Sequence, residues 1–179
     1  MTRTVQRAPS LVVAMGVSGT GKSSVGTLVA ERLGLDFVEG DDYHPESNIA
    51  KMREGIALTD EDRRPWLQIL ADLAGRRLDA GRSLVLTCSA LKRGYRDTLR
   101  SGVPGGAAFF LHLHADHDVL SARMAQRTKH FMPTSLLDSQ LQTLEPLQDD
   151  ELGAVVDVEP PIEEVADAAV AALGVQGVG

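Results

Sequence analysis

The sequence predicts a three-layer α/β fold, in which one mostly parallel sheet lies between helices. Short apolar runs alternate with stretches of helical periodicity along the 179 residues, and the first run leads directly into a glycine-rich loop. Strands that alternate with helices form parallel sheets, and such sheets bind ligands outside the carboxyl ends of their strands. We therefore expect the segments that follow the predicted strands to meet at one edge of the sheet.

Five apolar runs predict the strands, because short continuous apolar runs are typical of strands buried on both faces. They span residues 11–15, 35–39, 83–87, 107–113 and 154–158. Between them, apolar residues spaced by three or four predict helices. In chain order, these helices are a segment after the glycine-rich loop that stops at Gly34, residues 46–53, 65–80 and 92–100, a segment that begins near Asp116 or Asp118, a segment after Pro133 that contains Leu137, Leu141 and Leu144, and a last helix from Ile162 to Leu173.

Length, charge and cysteine content limit the class of protein. A chain of this length buries a substantial core, and we expect one domain over residues 1–179 with its core over about 10–173. A net charge of −7 argues against a nucleic-acid partner, which needs a basic surface. The lone Cys88 excludes an intramolecular disulfide and suits a reducing compartment. No apolar stretch is long enough to span a bilayer, and residues 1–9 look like a loose leader, so we expect a cytoplasmic protein with no membrane partner.

The glycine-rich loop matches G-x-x-x-x-G-K-[ST], the pattern that wraps nucleotide phosphates. It lies between a predicted strand and a predicted helix, so phosphates would meet unpaired N–H groups at a helix N-terminus. Lys22 is the expected cation for the β- and γ-phosphates, and Ser23 is the expected hydroxyl ligand of Mg²⁺. The alternative is an ordinary glycine-rich turn. The predicted nucleotide-binding residues here are Gly16, Val17, Ser18, Gly19, Thr20, Gly21, Lys22, Ser23 and Ser24.

Acidic residues after the second strand indicate a catalytic carboxylate. Asp41 is the candidate base for an acceptor hydroxyl, and Glu39 is a candidate ligand of Mg²⁺ through water. His44 is a candidate hydrogen-bond donor to the acceptor. The alternative for these residues is a turn or a helix cap.

Two further segments carry cations that suit an anionic acceptor. Arg63 follows a run of acidic residues and can form a two-pronged contact with a carboxylate. Lys92 and Arg96 are four residues apart, so they share one face of a helix. The alternatives are ion pairs within the helix for Arg63 and a solvated basic face for Lys92 and Arg96.

The strongest positive cluster consists of Arg123, Arg127, Lys129 and His130. Cations on a mobile lid, predicted over about residues 123–135, would close over the phosphates, exclude water and balance charge in the transition state. The alternative is an exposed helix end whose basic residues complement the dipole.

Longer pieces of the chain resemble gluconokinases of the small phosphate-loop type. A Gly-Asp pair, then His-Pro, then Asn-Ile-x-Lys-Met is far more specific than the phosphate loop alone. The Ser-Ala-Leu-Lys and His-Phe-x-x-x-x-Leu-x-x-Ser-Gln pieces agree with it. The similarity extends from about Leu11 to Leu173 and is carried by residues 16–23, 39–52, 58–67, 88–100 and 123–145. It implies the P-loop NTPase fold of the shikimate and nucleoside-monophosphate kinases, with strand order 2-3-1-4-5 and a mobile lid.

The resemblance implies a reaction in which ATP, with Mg²⁺, phosphorylates D-gluconate to 6-phospho-D-gluconate in gluconate catabolism. Asp41 would act on the terminal hydroxyl, with Lys22 and Arg127 as further catalytic groups. The remaining implied roles are acceptor binding by His44, Arg63, Lys92, Arg96 and His130, phosphate binding by Arg123 and Arg127, and a border to the adenine at Pro160.

Family members are commonly dimers, so the resemblance also implies a homodimer. Two alternatives remain at this point. One is a kinase for another small acceptor, such as shikimate or a related sugar acid. The other is a nucleotide-gated binding protein without catalysis.

Overall fold

A five-stranded parallel sheet forms the centre of the protein in the computed structural model, which describes residues 10–126 and 134–175. The strands are β1 (Leu11–Met15), β2 (Asp36–Glu39), β3 (Leu84–Thr87), β4 (Ala108–His114) and β5 (Gly153–Asp157). They pair in the order β2-β3-β1-β4-β5, and each pairing is parallel. The predicted fold class and strand order are therefore confirmed.

Helices connect successive strands and cover the sheet. They are α1 (Lys22–Leu33), α2 (Glu46–Arg53), α3 (Asp60–Asp79), α4 (Arg93–Ser101), α5 (His117–Ala125), α6 (Thr134–Thr143) and α7 (Ile162–Val175), with short 3-10 turns at Gly40–Tyr43 and Pro104–Gly106. No helix within the described ranges is long and apolar enough to cross a bilayer.

The start of α3 differs from the prediction. The spacing of apolar residues predicted a helix over residues 65–80. The helix instead begins at Asp60, because Thr59 and Asp62 form a reciprocal cap: each side chain accepts a hydrogen bond from the backbone N–H of the other. The earlier start matters for the site, because it places Arg63 inside a helix that packs against α4.

The core lies around β1, the central strand, whose residues are all fully buried. Residues of α1, such as Val25 and Val29, and residues of α3, such as Trp66 and Leu70, belong to the same buried cluster. This burial explains why β1 contains only apolar residues. It also fixes the carboxyl ends of β1, β2 and β3 beside one another.

Candidate active site

The phosphate loop connects β1 to α1 in a conformation that depends on glycine. Gly16 has a φ of 145°, and a Cβ there would lie 2.6 Å from the carbonyl oxygen of Leu113. The Nζ of Lys22 donates to the carbonyl oxygens of Gly16 at 3.0 Å and Val17 at 3.1 Å. These bonds hold the lysine ammonium against the loop, as its predicted phosphate-binding role requires.

The two predicted metal ligands are in contact. The hydroxyl of Ser23 donates to one carboxylate oxygen of Glu39, and the other oxygen accepts from the hydroxyl of Thr87. Hydroxyl and carboxylate oxygens are ligands that Mg²⁺ prefers, and this ion usually binds through one or two carboxylates together with substrate phosphates. The residues present therefore fit a magnesium ion.

Thr87 was not predicted as a site residue, because in the sequence it is only the last residue of a predicted buried strand. It pairs with Glu39 in the register of β2 with β3, so knowledge of strand order could have identified it. Its hydroxyl also accepts from the N–H of Gly40 at 3.0 Å. A Cβ at Gly40 would lie 1.9 Å from the Thr87 carbonyl oxygen, so this close approach requires glycine.

His44 is held in one orientation beside Asp41. Its ring is stacked on Trp66 with centroids 3.9 Å apart. The amide nitrogen of Asn48 donates to the carbonyl oxygen of Asp62 at 2.9 Å and lies 3.3 Å from His44 Nδ1. Nδ1 therefore accepts, and a neutral ring carries its proton on Nε2, which lies 3.6 Å from an Asp41 carboxylate oxygen. Neither Asn48 nor Trp66 was predicted to contribute to the site.

One cavity joins the phosphate loop to these residues. It is a cleft partly open to solvent, and its mixture of apolar side chains with a few polar groups is typical of small-molecule sites. Its polar lining comes from Ser18, Lys22, Asp41, His44, Arg63, Ser89, Ser139 and Gln140, and its apolar lining comes from Met52, Ile56, Ala57, Leu58, Trp66 and Leu136.

Helix α6 reaches the phosphate loop through a direct hydrogen bond. The side-chain oxygen of Gln140 accepts from the N–H of Ser18 at 2.7 Å. Ser139 and Gln140 belong to the Ser-Gln pair noted in the sequence, where neither had an assigned role. Their motif was therefore a signal that they contribute to the site.

Arg63 lines the cavity and is only 8% exposed. Its Nη1 donates to the hydroxyl of Tyr95 at 3.0 Å. Lys92, predicted to bind the same acceptor, does not line the cavity. It donates instead to Asp60 at 3.1 Å, and its Nζ lies 5.7 Å from the centroid of the Tyr95 ring.

Arg96 is a correction to the predicted acceptor site. Its side chain is fully buried, with Nε donating to Glu151 at 2.7 Å and Nη2 to the second Glu151 oxygen at 2.9 Å. Further bonds reach the carbonyl oxygens of Ala90, Leu91, Glu145 and Pro146. The four-residue spacing predicted that Arg96 and Lys92 share one face that binds the acceptor. Arg96 instead turns inward and donates hydrogen bonds to backbone carbonyl oxygens of the loop after β3.

Two of the remaining predicted positions, Arg123 and Pro160, do not line this cavity. Arg123 donates from Nη2 to the carbonyl oxygen of Val158 at 2.6 Å, just before the Pro160 segment that was predicted to border adenine. Arg127, Lys129 and His130 lie outside the described residues. Burial raises the pKa of the Cys88 thiol to about 12, so this cysteine is protonated and is no nucleophile.

The fold and the site together define a P-loop kinase. A family model described as an AAA domain matches residues 11–147. A gluconokinase from Gluconobacter oxydans (strain 621H) is 50% identical over 144 residues, covering 80% of this chain and 79% of the relative.

Two solved structures are similar over nearly their whole length. The crystal structure of a gluconokinase from Sinorhizobium meliloti 1021 is 49% identical with a TM-score of 0.84, covering 95% of this chain and 94% of that one. An unliganded sugar kinase from Janibacter sp. HTCC2649 is 51% identical with a TM-score of 0.88, covering 93% and 95%. The chain belongs to the gluconokinase family.

Proposed function

We propose that this chain transfers the γ-phosphoryl group of ATP to the terminal hydroxyl of D-gluconate, giving ADP and 6-phospho-D-gluconate. The observation that carries this proposal is the single cavity shared by Lys22, Asp41 and Arg63. Phosphoryl transfer depends mainly on position and on charge stabilisation. The cavity combines a phosphate-binding cation, a carboxylate and a buried cation for the substrate's own carboxylate, and family membership makes gluconate the acceptor.

Asp41 acts on the acceptor hydroxyl. The proton leaves the terminal hydroxyl for the Asp41 carboxylate as the new O–P bond forms. The Nε2–H of His44 faces the Asp41 carboxylate and limits its orientation. Because His44 is fixed by Trp66 and Asn48, its position does not depend on the substrate.

Ser23 and Glu39 would hold the magnesium ion, which would supply positive charge to neutralise the phosphates of ATP. Lys22 supplies the second positive charge from the loop. The predicted contributions of Arg123, Arg127 and Pro160 to the nucleotide site, and of Lys92 and His130 to the acceptor site, remain part of the proposal on the strength of the resemblance.

Arg63 binds the gluconate carboxylate. A buried guanidinium forms a directional two-pronged contact with a carboxylate, whereas an alcohol or a neutral sugar offers no such partner. The site therefore selects a sugar acid over a neutral sugar of the same length.

We also propose a single kinase domain over residues 1–179 with a lid at about 123–135, a homodimer, and a cytoplasmic location. The lid proposal rests on the basic cluster in the sequence. The homodimer rests on the resemblance, and the location on the lone cysteine and the metabolic role.

A coupled assay of ADP release tests the function. The purified chain is incubated with ATP, Mg²⁺ and one acceptor in each reaction. The acceptors are D-gluconate, its epimers, shikimate and a nucleoside monophosphate. We expect turnover that depends on gluconate and is far slower with the other acceptors. Turnover dominated by shikimate or another sugar acid would contradict the substrate assignment, and absence of acceptor-dependent turnover would favour a nucleotide-gated binding protein.

A further inference from the structure

Tyr95 lies between Arg63 and a carboxylate with which Arg63 could otherwise pair. The Tyr95 hydroxyl donates to Asp60 and accepts from Arg63 at 3.0 Å. Its donation to Asp60 leaves its lone pairs for the guanidinium. The Arg63 guanidinium also lies 5.3 Å from the centroid of the Tyr95 ring, within range of a cation–π contact.

Asp60 is a competitor for Arg63. The two residues are three positions apart on α3, a spacing at which oppositely charged side chains meet. They nevertheless form no ion pair within 4.0 Å, although both are among the described residues. Asp60 is occupied by Tyr95 and by Lys92.

Arg63 still has donors to offer. Within the described part of the chain, the hydrogen bond to Tyr95 is the only one that the Arg63 guanidinium makes, although a guanidinium carries five N–H donors. The residue is mostly buried and lines the cavity. A mostly buried cation at a cavity wall, with N–H donors that lack partners, suits an anionic ligand.

We infer that the Tyr95 hydroxyl is a spacer that holds the Arg63 guanidinium toward the cavity and away from Asp60. This inference rests on the proposed function, because it explains why Arg63, the proposed binding group for the gluconate carboxylate, stays available. Tyr95 is thus a positioning residue that acts through Arg63 and does not touch the reacting atoms. If the Tyr95 hydroxyl is removed, Arg63 turns to Asp60 and forms an ion pair. Gluconate must then break that ion pair to bind.

The Tyr95→Phe variant tests this inference by a split between kinetic constants. We expect the KM for gluconate to rise about tenfold, equivalent to about 1.4 kcal/mol of binding, with kcat and the KM for ATP little changed. Tyr43→Phe is the matched control, since it removes the chain's other tyrosine hydroxyl, at a position that does not line the cavity. An unchanged KM for gluconate in Tyr95→Phe, or a loss confined to kcat, would overturn the inference.

A second variant distinguishes competition by Asp60 for Arg63 from the simple loss of the hydrogen bond between Tyr95 and Arg63. In Tyr95→Phe combined with Asp60→Asn, the Asp60 carboxylate is no longer there to capture Arg63, so the KM for gluconate should return to within about threefold of wild type. A double variant as weak as Tyr95→Phe, or weaker, would contradict the spacer role. If Tyr95→Phe does not fold, Asp60→Asn alone serves: the inference expects an equal or lower KM for gluconate, and a higher one would refute it. Wild-type chain that does not phosphorylate gluconate would instead refute the proposed function.

Discussion

Replacing Arg96 by alanine should destabilise the fold, because Arg96 is structural. The variant leaves Glu151, whose side chain is fully buried, with only part of its compensation, from Arg100 and the backbone N–H of Gln148. Removal of one partner of a buried ion pair costs about 3–5 kcal/mol. For a domain of this size, each kcal/mol lowers Tm by about 2–4 °C, so we expect a fall of roughly 6–20 °C.

Thermal unfolding followed by circular dichroism measures this effect. The matched control is Arg93→Ala on the same helix, because Arg93 pairs with Asp150 at the surface, where ion pairs contribute little to stability, and its Nε reaches Glu151 only at 3.9 Å. Gluconate KM is measured in parallel, well below the unfolding transition. An Arg96→Ala chain with unchanged Tm and a raised KM for gluconate would refute the structural assignment and restore the acceptor role first predicted from the sequence.

Three further predictions follow from the site and its support. Lys22→Ala should lower kcat by about 10²–10³ with Tm unchanged, because one preorganised charge on the phosphates is lost; an unaffected rate would exclude its role. Glu39→Gln should raise the Mg²⁺ concentration for half-maximal activity about tenfold or more in a metal titration, and Thr87→Val should do so more weakly; an unchanged titration would remove Glu39 from the metal site. Burial acts to raise the pKa of Glu151, but hydrogen bonds from Arg96, Gln148 and Arg100 lower it to about 2 from its usual 4.5. Its stabilisation is therefore complete above its unfolded pKa and is lost as pH falls toward 2, so urea unfolding should show a steeper acid loss in wild type than in Glu151→Gln; equal slopes would contradict this.

The sequence predicted the fold because local and global signals agree in it. The apolar run of β1, the loop glycines and the helical spacing of α1 each specify the same strand–loop–helix unit. The strand order came from the resemblance, since periodicity does not determine which strands are neighbours. The predicted start of α3 was wrong because the apolar spacing begins only near Leu67, whereas the cap formed by Thr59 and Asp62 starts the helix at Asp60.

The site was predictable where chemistry is concentrated in short motifs. Lys22, Ser23, Glu39 and Asp41 follow directly from strand ends, and the structure brings them to one edge. Arg96 could not be placed correctly, because its inward turn depends on Glu151, which lies far along the chain. Thr87, Asn48 and Tyr95 were missed for a similar reason: each acts by holding another side chain, and such pairing becomes visible only when distant segments pack together.

Acceptor-dependent turnover in Asp41→Asn tests the central claim most directly. Wild type and variant are compared for release of ADP and formation of 6-phospho-D-gluconate, with ATP affinity measured separately by calorimetry. We expect the variant to lose about 10²- to 10⁴-fold in kcat, the usual contribution of a general base, while it binds ATP like wild type. Turnover of gluconate by Asp41→Asn at the wild-type rate would contradict the mechanism.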